Sequence, residues 1–327
     1  MVSSNLLKFL TLCLVWGLTW IGVKVGISSV PPTVFAATRF MAAGLILLGY
    51  TCVIRGLPAF FIEDAPRLMV GSLLMITLCY GPLFWGMQFV SSGTAAVVEM
   101  SLTPLALLGF GILLGQEIWS WRRASAMAVG IAGLYLLFDH PVEETQTDEL
   151  IGYLAVIFAA LSSAYGSVIA GPLISRYGSI FVAGSTTLIG GTILLGCAFL
   201  AGEGPVRAFP IFWRWEALAG WAFLIVFGSL VGYSLYLQLL RDAGPARAGS
   251  FAFVSPAIAV AVGVLIGGET VSAINLLGMA LMLISASVCL YSDQSLRPTA
   301  GERQAPPIPV DTLRTACSPS RPPADPQ

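Results

Sequence analysis

Charge is what this sequence has least of. Only 10% of its 327 residues are Asp, Glu, Lys or Arg, and 57% are hydrophobic, whereas an average soluble domain is roughly 25% charged. So few charges cannot cover the surface of a water-soluble fold of this length. Basic and acidic residues nearly cancel to a net charge of −1, and no basic patch interrupts the apolar part, which argues against nucleic-acid binding. Histidine occurs once, at His140. That excludes histidine-ligated metal clusters and argues against a Ser–His catalytic dyad within a membrane. Cysteines 13, 52, 79, 197, 289 and 317 form no C-x-x-C pair, so neither a zinc site nor a disulfide framework is expected. They read as small packing residues. A Walker loop is also missing. No metal, no cofactor and no enzymatic activity are expected.

Apolar length is what the sequence has instead. A bilayer core about 30 Å thick takes roughly 20 apolar residues in helical form. About ten stretches approach that length: 6–26, 33–53, 67–90, 93–115, 121–138, 150–171, 180–201, 216–240, 246–267 and 273–291. The chain reads as an all-α polytopic membrane protein with the lipid bilayer as a partner. The fifth stretch is short, with fifteen residues between Arg123 and Asp139, which places Trp119 and Trp121 at the membrane interface. The first stretch could pass for a signal peptide. However, Lys24 sits near its end and no A-x-A cleavage site follows, so it is expected to be retained. From Ser292 the long apolar runs stop and prolines accumulate, so 292–327 is expected to be a disordered cytoplasmic tail.

Basic residues set the orientation. With the N-terminus inside, the inner connections hold Arg55, Arg67, Arg122, Arg123, Arg176, Arg241 and Arg247. The outer ones hold only Arg207 and Arg214, close to Glu203 and Glu216, and the acidic loop from Asp139 to Glu149 has no basic residue. The expectation is a multi-pass protein of the inner (plasma) membrane with both termini cytoplasmic.

A duplication runs through the apolar part. Pro104 is followed by Gly111, Gly115 and Glu117, and Pro256 at identical spacing by Gly263, Gly267 and Glu269. The shared pattern is P-x6-G-x3-G-x-E, and the copies stand 152 residues apart. Upstream, Gly81 and Trp85 correspond to Gly232 and Tyr236. Five spans separate the copies, and an odd separation reverses topology. Glu117 is therefore expected on the cytoplasmic side and Glu269 outside. Inverted repeats recur in secondary transporters, with the substrate held near the midplane where the halves meet.

These residues carry a family resemblance. Trp16-Gly17-Leu18-Thr19-Trp20 with Lys24, followed by Ala36-Ala37-Thr38-Arg39-Phe40, looks like the opening of an EamA domain. Ser92 through Pro104, Gly115 and Glu117 to Gly133 looks like its end, and Gly244 through Pro256, Gly267 and Glu269 to Ser287 repeats that end. The chain thus resembles the EamA family of the drug/metabolite transporter superfamily. The resemblance implies two inverted five-helix repeats, 6–138 and 150–291, and efflux of amino acids, related metabolites or toxic compounds, with protons as a candidate counter-ion. The second opening departs from the pattern, because around Ala164-Tyr165-Gly166 no counterpart of Trp16, Lys24 or Arg39 stands.

Within the spans, ionisable residues draw attention because charge in hydrocarbon is costly unless paired or wet. Arg39 and Glu99 each lie about six residues, or ~9 Å, inside the outer ends of their helices. Lys24 lies nearer the surface, where it can snorkel. Two readings stay open. Arg39 is a packing or topology anchor with Glu99 its passive partner, or Glu99 takes a substrate amine or a coupling proton while Arg39 attracts carboxylate. Desolvation and a neighbouring guanidinium act on a carboxyl in opposite directions, so proton coupling stays open too.

Tyr80, Phe84 and Gln88 share one helical face with Trp85 nearby, and Ser229, Gly232, Tyr233 and Tyr236 share another. Trp16 and Trp20 lie on one face of the first helix. Such faces either line a cavity for an apolar body with a polar end or pack internally. Small-xxx-small pairs such as Gly22/Gly26 and Gly228/Gly232 permit close helix approach, within the chain or across a homodimer. Pro82, Pro104 and Pro256 are expected to kink their spans. Glu117 and Glu269 are expected to be structural residues of the repeat.

The expected function is a secondary transporter exporting small metabolites, amino acids or related zwitterions, by alternating access. The alternatives are a drug or lipophilic-cation exporter, a non-transporting membrane assembly protein and a membrane enzyme.

Overall fold

The computed structural model describes residues 2–26, 29–86, 89, 92–137, 147–203, 213–258 and 273–291. Gln88, His140, Gly263, Gly267, Glu269 and the segment 292–327 lie outside the described residues, as do the side chains of Trp20 and Lys24.

Prolines and glycines punctuate the apolar runs into helices. Helix α1 spans Val2–Gly26. A proline pair, whose fixed φ suits a first turn, opens α2, Pro32–Arg55. Helix α3 is Ile62–Gly86, α4 Ser92–Leu113, α5 Trp121–Leu137, α6 Thr147–Tyr177 and α7 Ser179–Leu200. Helix α8 is Trp215–Ala243. Gly244, at φ +89°, turns the chain into α9, Pro245–Gly249, and residues 251–258 are again helical. Helix α10 is Ala273–Tyr291. Among the described residues there is no β-strand.

Three helices change winding part-way. Stretches 51–55, 73–77 and 224–233 are π-wound within α2, α3 and α8, a local bulge that often marks functional positions. Pro82 and Pro104 sit inside α3 and α4 as expected. Helix α6 runs through Pro172, beyond the end expected for it.

Five helices are long and apolar enough to cross a membrane, namely α2, α3, α6, α7 and α8, and α1, α4 and α10 contain shorter apolar stretches. About ten full spans were expected, and the described residues carry five. The outer surface is apolar even where it is bare. Leu45, Ile46 and Ile284 are each half exposed or more, which suits lipid rather than water as the solvent. Trp119 and Trp121 stand exposed in an edge-to-face pair, ring centroids 5.2 Å apart.

The first five helices pack chiefly on the last five. Helix α2 lies along α7, α5 along α10, α1 along α8 and α3 along α6. Exchanging the two halves maps this set onto itself. Small residues make the approach possible. A Cβ at Gly44 of α2 would stand 2.6 Å from the Leu188 backbone nitrogen of α7, and one at Gly133 of α5 would stand 2.6 Å from the Gly278 carbonyl of α10. Gly22 and Gly228 also spend their missing Cβ on contacts within the chain.

The duplicated motif has a local explanation in its first copy. Gly115, at φ +68°, ends α4 in the left-handed conformation that glycine adopts without a Cβ penalty. Gln116 and Glu117 turn back so that both backbone N–H groups donate to the Gly111 carbonyl, at 2.7 and 3.0 Å. A Cβ at Gly111 would meet Glu117 Cγ at 2.9 Å. The spacing G-x3-G-x-E is therefore a helix stop that folds a glutamate over a bare patch of its own helix.

Candidate functional site

Where the halves meet, α1, α2, α3, α4, α6, α8 and the 251–258 helix enclose a cavity of about 170 Å³. Eight of the charged or face residues singled out in the sequence line it: Trp16, Arg39, Tyr80, Phe84, Glu99, Ser229, Tyr233 and Tyr236.

The two charged side chains among its described lining residues form no ion pair with each other. Arg39 of α2 is 6% exposed. Its guanidinium carbon stands 4.3 Å from the centroid of Phe40 and 5.6 Å from that of Tyr80, a cation–π arrangement. The Arg39 Nε–H has no hydrogen-bond partner. Glu99 of α4 interacts with Cys79 and Tyr80 of α3. Ion pairs among the described residues join Lys8 to Asp242, Arg123 to Glu117, Arg176 to Asp64, Arg214 to Glu216 and Arg241 to Asp242. Arg39 and Glu99 are in none of them. Tyr80 is in electrostatic contact with both.

Aromatic rings form another part of the wall. The Trp16 indole N–H donates to the Gly228 carbonyl at 3.1 Å, fixing the ring edge-on to Phe251 at 4.5 Å and tilted against Tyr236 at 5.3 Å. Gly232 makes room for this, since a Cβ there would stand 2.3 Å from the indole nitrogen. The tyrosine hydroxyls of this wall are already engaged. Tyr233 Oη lies 3.3 Å from Thr186 Oγ1 and 3.6 Å from Met75 Sδ, and Tyr236 Oη donates to Ser167 Oγ at 3.0 Å. Both tyrosines offer ring faces, with their polar ends satisfied by α6, α7 and α3.

Trp85 is placed elsewhere. It is 47% exposed, meets Phe89 edge-to-face at 4.9 Å and borders a shallow apolar groove with Pro82, Leu154 and Phe158. One residue past Phe84 is about 100° around the helix, so a face that points Tyr80 and Phe84 inward turns Trp85 outward. Its sequence counterpart Tyr236 faces the cavity, so the two halves match in packing glycines and differ in what they present to the site.

Several lining residues escaped the sequence reading: Phe40, Cys79, Thr103, Ser163, Phe251 and Ser255. The duplication held a signal for two pairs of positions. At the same spacing of 152, Glu99 matches Phe251 and Thr103 matches Ser255, and all four line the cavity. Thr103 spends its hydroxyl on the Glu99 carbonyl at 2.8 Å, whereas the buried Ser255 Oγ has no hydrogen-bond partner.

Glu117 of the repeat lies apart from this cavity. Its Oε2 pairs with Arg123 Nη1 at 2.5 Å, with both side chains under 10% exposed, and its Oε1 accepts the Ala246 N–H at 3.3 Å. Its carboxylate is buried and paired rather than solvated.

Comparison with known proteins agrees with this architecture. A solved crystal structure of a protein with 19% sequence identity superposes with a TM-score of 0.72, covering 88% of this chain and 96% of that one, which shows a shared fold. The "Uncharacterized inner membrane transporter YedA" of Escherichia coli K12 is 30% identical over 276 residues, 84% of this chain and 86% of its own length. The "Uncharacterized transporter YvbV" of Bacillus subtilis is 27% identical over 302 residues, 90% and 92% of the two lengths. The model of the EamA-like transporter family matches twice, at residues 4–139 and 150–291. With a duplicated domain, apolar helices exposed to lipid and a cavity between the halves, the chain is a multi-pass membrane protein and belongs to the EamA-like transporter family.

Proposed function

We propose that the chain is a secondary transporter that exports small zwitterionic metabolites, amino acids or close relatives, by alternating access across the inner membrane. In this reading ten helices cross the bilayer as two five-helix repeats of opposite orientation, with both termini cytoplasmic. The observation that carries it is a pair of opposite charges, Arg39 and Glu99, facing one small cavity without pairing. Two buried charges left apart are costly, and a ligand bearing a carboxylate and an ammonium satisfies both at once. The carboxylate belongs with the Arg39 guanidinium, the ammonium with Glu99, and an apolar body with Trp16 and Phe251. Glu99 is also the candidate group for a coupled proton, since it lines the transport cavity and carries no ion pair.

Size favours a small substrate. A dry cavity of about 150 Å³ accommodates a benzene-sized body, and drug-sized ligands occupy pockets of roughly 300–1,000 Å³. The cavity of about 170 Å³ belongs with the former. Export of lipophilic cations is the second reading, supported by the Trp16, Tyr236 and Phe251 rings in the same cavity as Glu99.

Uptake of radiolabelled amino acids into proteoliposomes tests the proposal. Saturable uptake is expected, abolished by Arg39→Gln and by Glu99→Gln. A panel of all common amino acids taken up no faster than by empty liposomes would refute it. Loss of lipophilic-cation resistance in Glu99→Gln but not in Arg39→Glu cells would favour the second reading. If Glu99 carries the proton, uptake in Glu99→Gln vesicles no longer responds to an imposed pH gradient.

A further inference from the structure

Polar contacts cross from the first half to the second at one end of the bundle, and beside those of Arg176 and Tyr177 with Asp64 two stand out. Lys8 Nζ of α1 donates to Asp242 Oδ2 near the end of α8 at 2.8 Å, with the two side chains 23% and 24% exposed. Glu117, beyond the end of α4, accepts the Ala246 N–H at the start of α9. Both contacts lie at the same end. Lys8 precedes Trp16 in α1, Asp242 follows Tyr236 in α8, Glu117 follows Glu99, and Ala246 precedes Phe251. Along the helices that places Lys8 ~12 Å from Trp16 and Asp242 ~9 Å from Tyr236. Arg122, Arg123, Arg241 and Arg247 gather at this end, which marks it as cytoplasmic.

The two carboxylates share a design. Each holds one partner from its own half and one from the other. Asp242 keeps Arg241 Nε at 2.7 Å on its own half while it binds Lys8 across the interface. Glu117 keeps Arg123 on one oxygen and binds Ala246 with the other. When the halves separate here, each carboxylate retains a cation, so no buried carboxylate is stranded, which would oppose opening strongly. Lys8 is exposed enough for water to replace its partner.

We propose that Lys8–Asp242 and Glu117–Ala246 form the cytoplasmic gate of the cavity, closed in this structure and released when the cavity opens inward. The proposal rests on the transporter reading and deepens it by naming what holds one side shut.

Accessibility of the cavity from each membrane face tests it without knowledge of the substrate. In a background with all six cysteines replaced, Ser163→Cys supplies one thiol on the cavity wall. A membrane-impermeant methanethiosulfonate reagent is applied to inside-out and right-side-out vesicles. Lys8→Met is expected to raise the labelling rate from the cytoplasmic face about threefold, and Lys8→Asp, which faces Asp242 with like charge, about tenfold, with no rise from the outer face. Asp242→Asn is expected to act like Lys8→Met. Unchanged cytoplasmic labelling in all three variants, or an equal rise from both faces, overturns the gate while leaving the transporter reading intact. A thiol that reacts from neither face in any variant overturns both.

Discussion

Replacing Arg39 with methionine separates the two roles that its position allows. If Arg39 serves only to anchor α2, its loss weakens the fold. If it is held unpaired for a ligand, its removal relieves the fold and abolishes binding. The structure supplies the magnitudes. Arg39 is 6% exposed, belongs to no ion pair, and leaves its Nε donor without a partner. An orphaned buried donor costs about 1–3 kcal/mol, and replacing buried ionic groups by apolar ones of similar volume stabilises other proteins by up to about 4 kcal/mol. Against this stands the loss of the ring contacts with Phe40 and Tyr80 at 4.3 and 5.6 Å, worth about 0.5–2 kcal/mol. The balance for Arg39→Met is a gain of about 1–2 kcal/mol. At about 2–4 °C per kcal/mol for chains of 150–250 residues, the expected rise in Tm is roughly 3–5 °C. The assay is thermal unfolding in detergent followed by tryptophan fluorescence, alongside amino-acid uptake in proteoliposomes. A lower Tm with uptake preserved would show that Arg39 is an anchor and that the site reasoning is wrong.

Other perturbations follow from the same geometry. Gly232→Ala places a Cβ 2.3 Å from the Trp16 indole nitrogen, so the ring must leave the Gly228 carbonyl. A cost of about 1–3 kcal/mol and a changed tryptophan emission are expected, and emission and Tm equal to the parent's would contradict the packing. Tyr236→Phe removes the 3.0 Å hydrogen bond to Ser167. Stability should fall by about 1 kcal/mol while uptake KM stays within about twofold, because the hydroxyl is engaged by the protein; a much larger change in KM would place that hydroxyl on the substrate. Glu117→Ala strands Arg123, whose side chain is 8% exposed, at a cost of about 3–5 kcal/mol. Glu117→Ala combined with Arg123→Met should recover most of that loss in Tm, and a double variant no more stable than the single one would argue against the pair.

The sequence by itself determined the class of molecule and its duplication. Long apolar runs with few charges have one physical solution in a bilayer, helices that satisfy their own backbone, so the all-helical nature could be read from composition. The repeated P-x6-G-x3-G-x-E was equally legible, because a helix stop needs its glycine and its returning side chain at fixed spacing, and local geometry writes itself into sequence.

What only the tertiary structure decided is which side chains meet. Arg39 and Glu99 stand 60 residues apart, and their equal depth could not say whether they pair. The fold brings them to one cavity, both in contact with Tyr80, and joins them in no ion pair. Trp85 and Tyr236, matched by the duplication, part company because one faces lipid and the other the interior. Phe251 and Ser255 enter the site because α9 packs against α4. Lys8 and Asp242, each an ordinary charge near a helix end in sequence, become a pair only because α1 lies along α8. Hydropathy and helix stops depend on neighbours along the chain. The cavity lining and the Lys8–Asp242 pair depend on distances across the interface between halves, which no local pattern encodes.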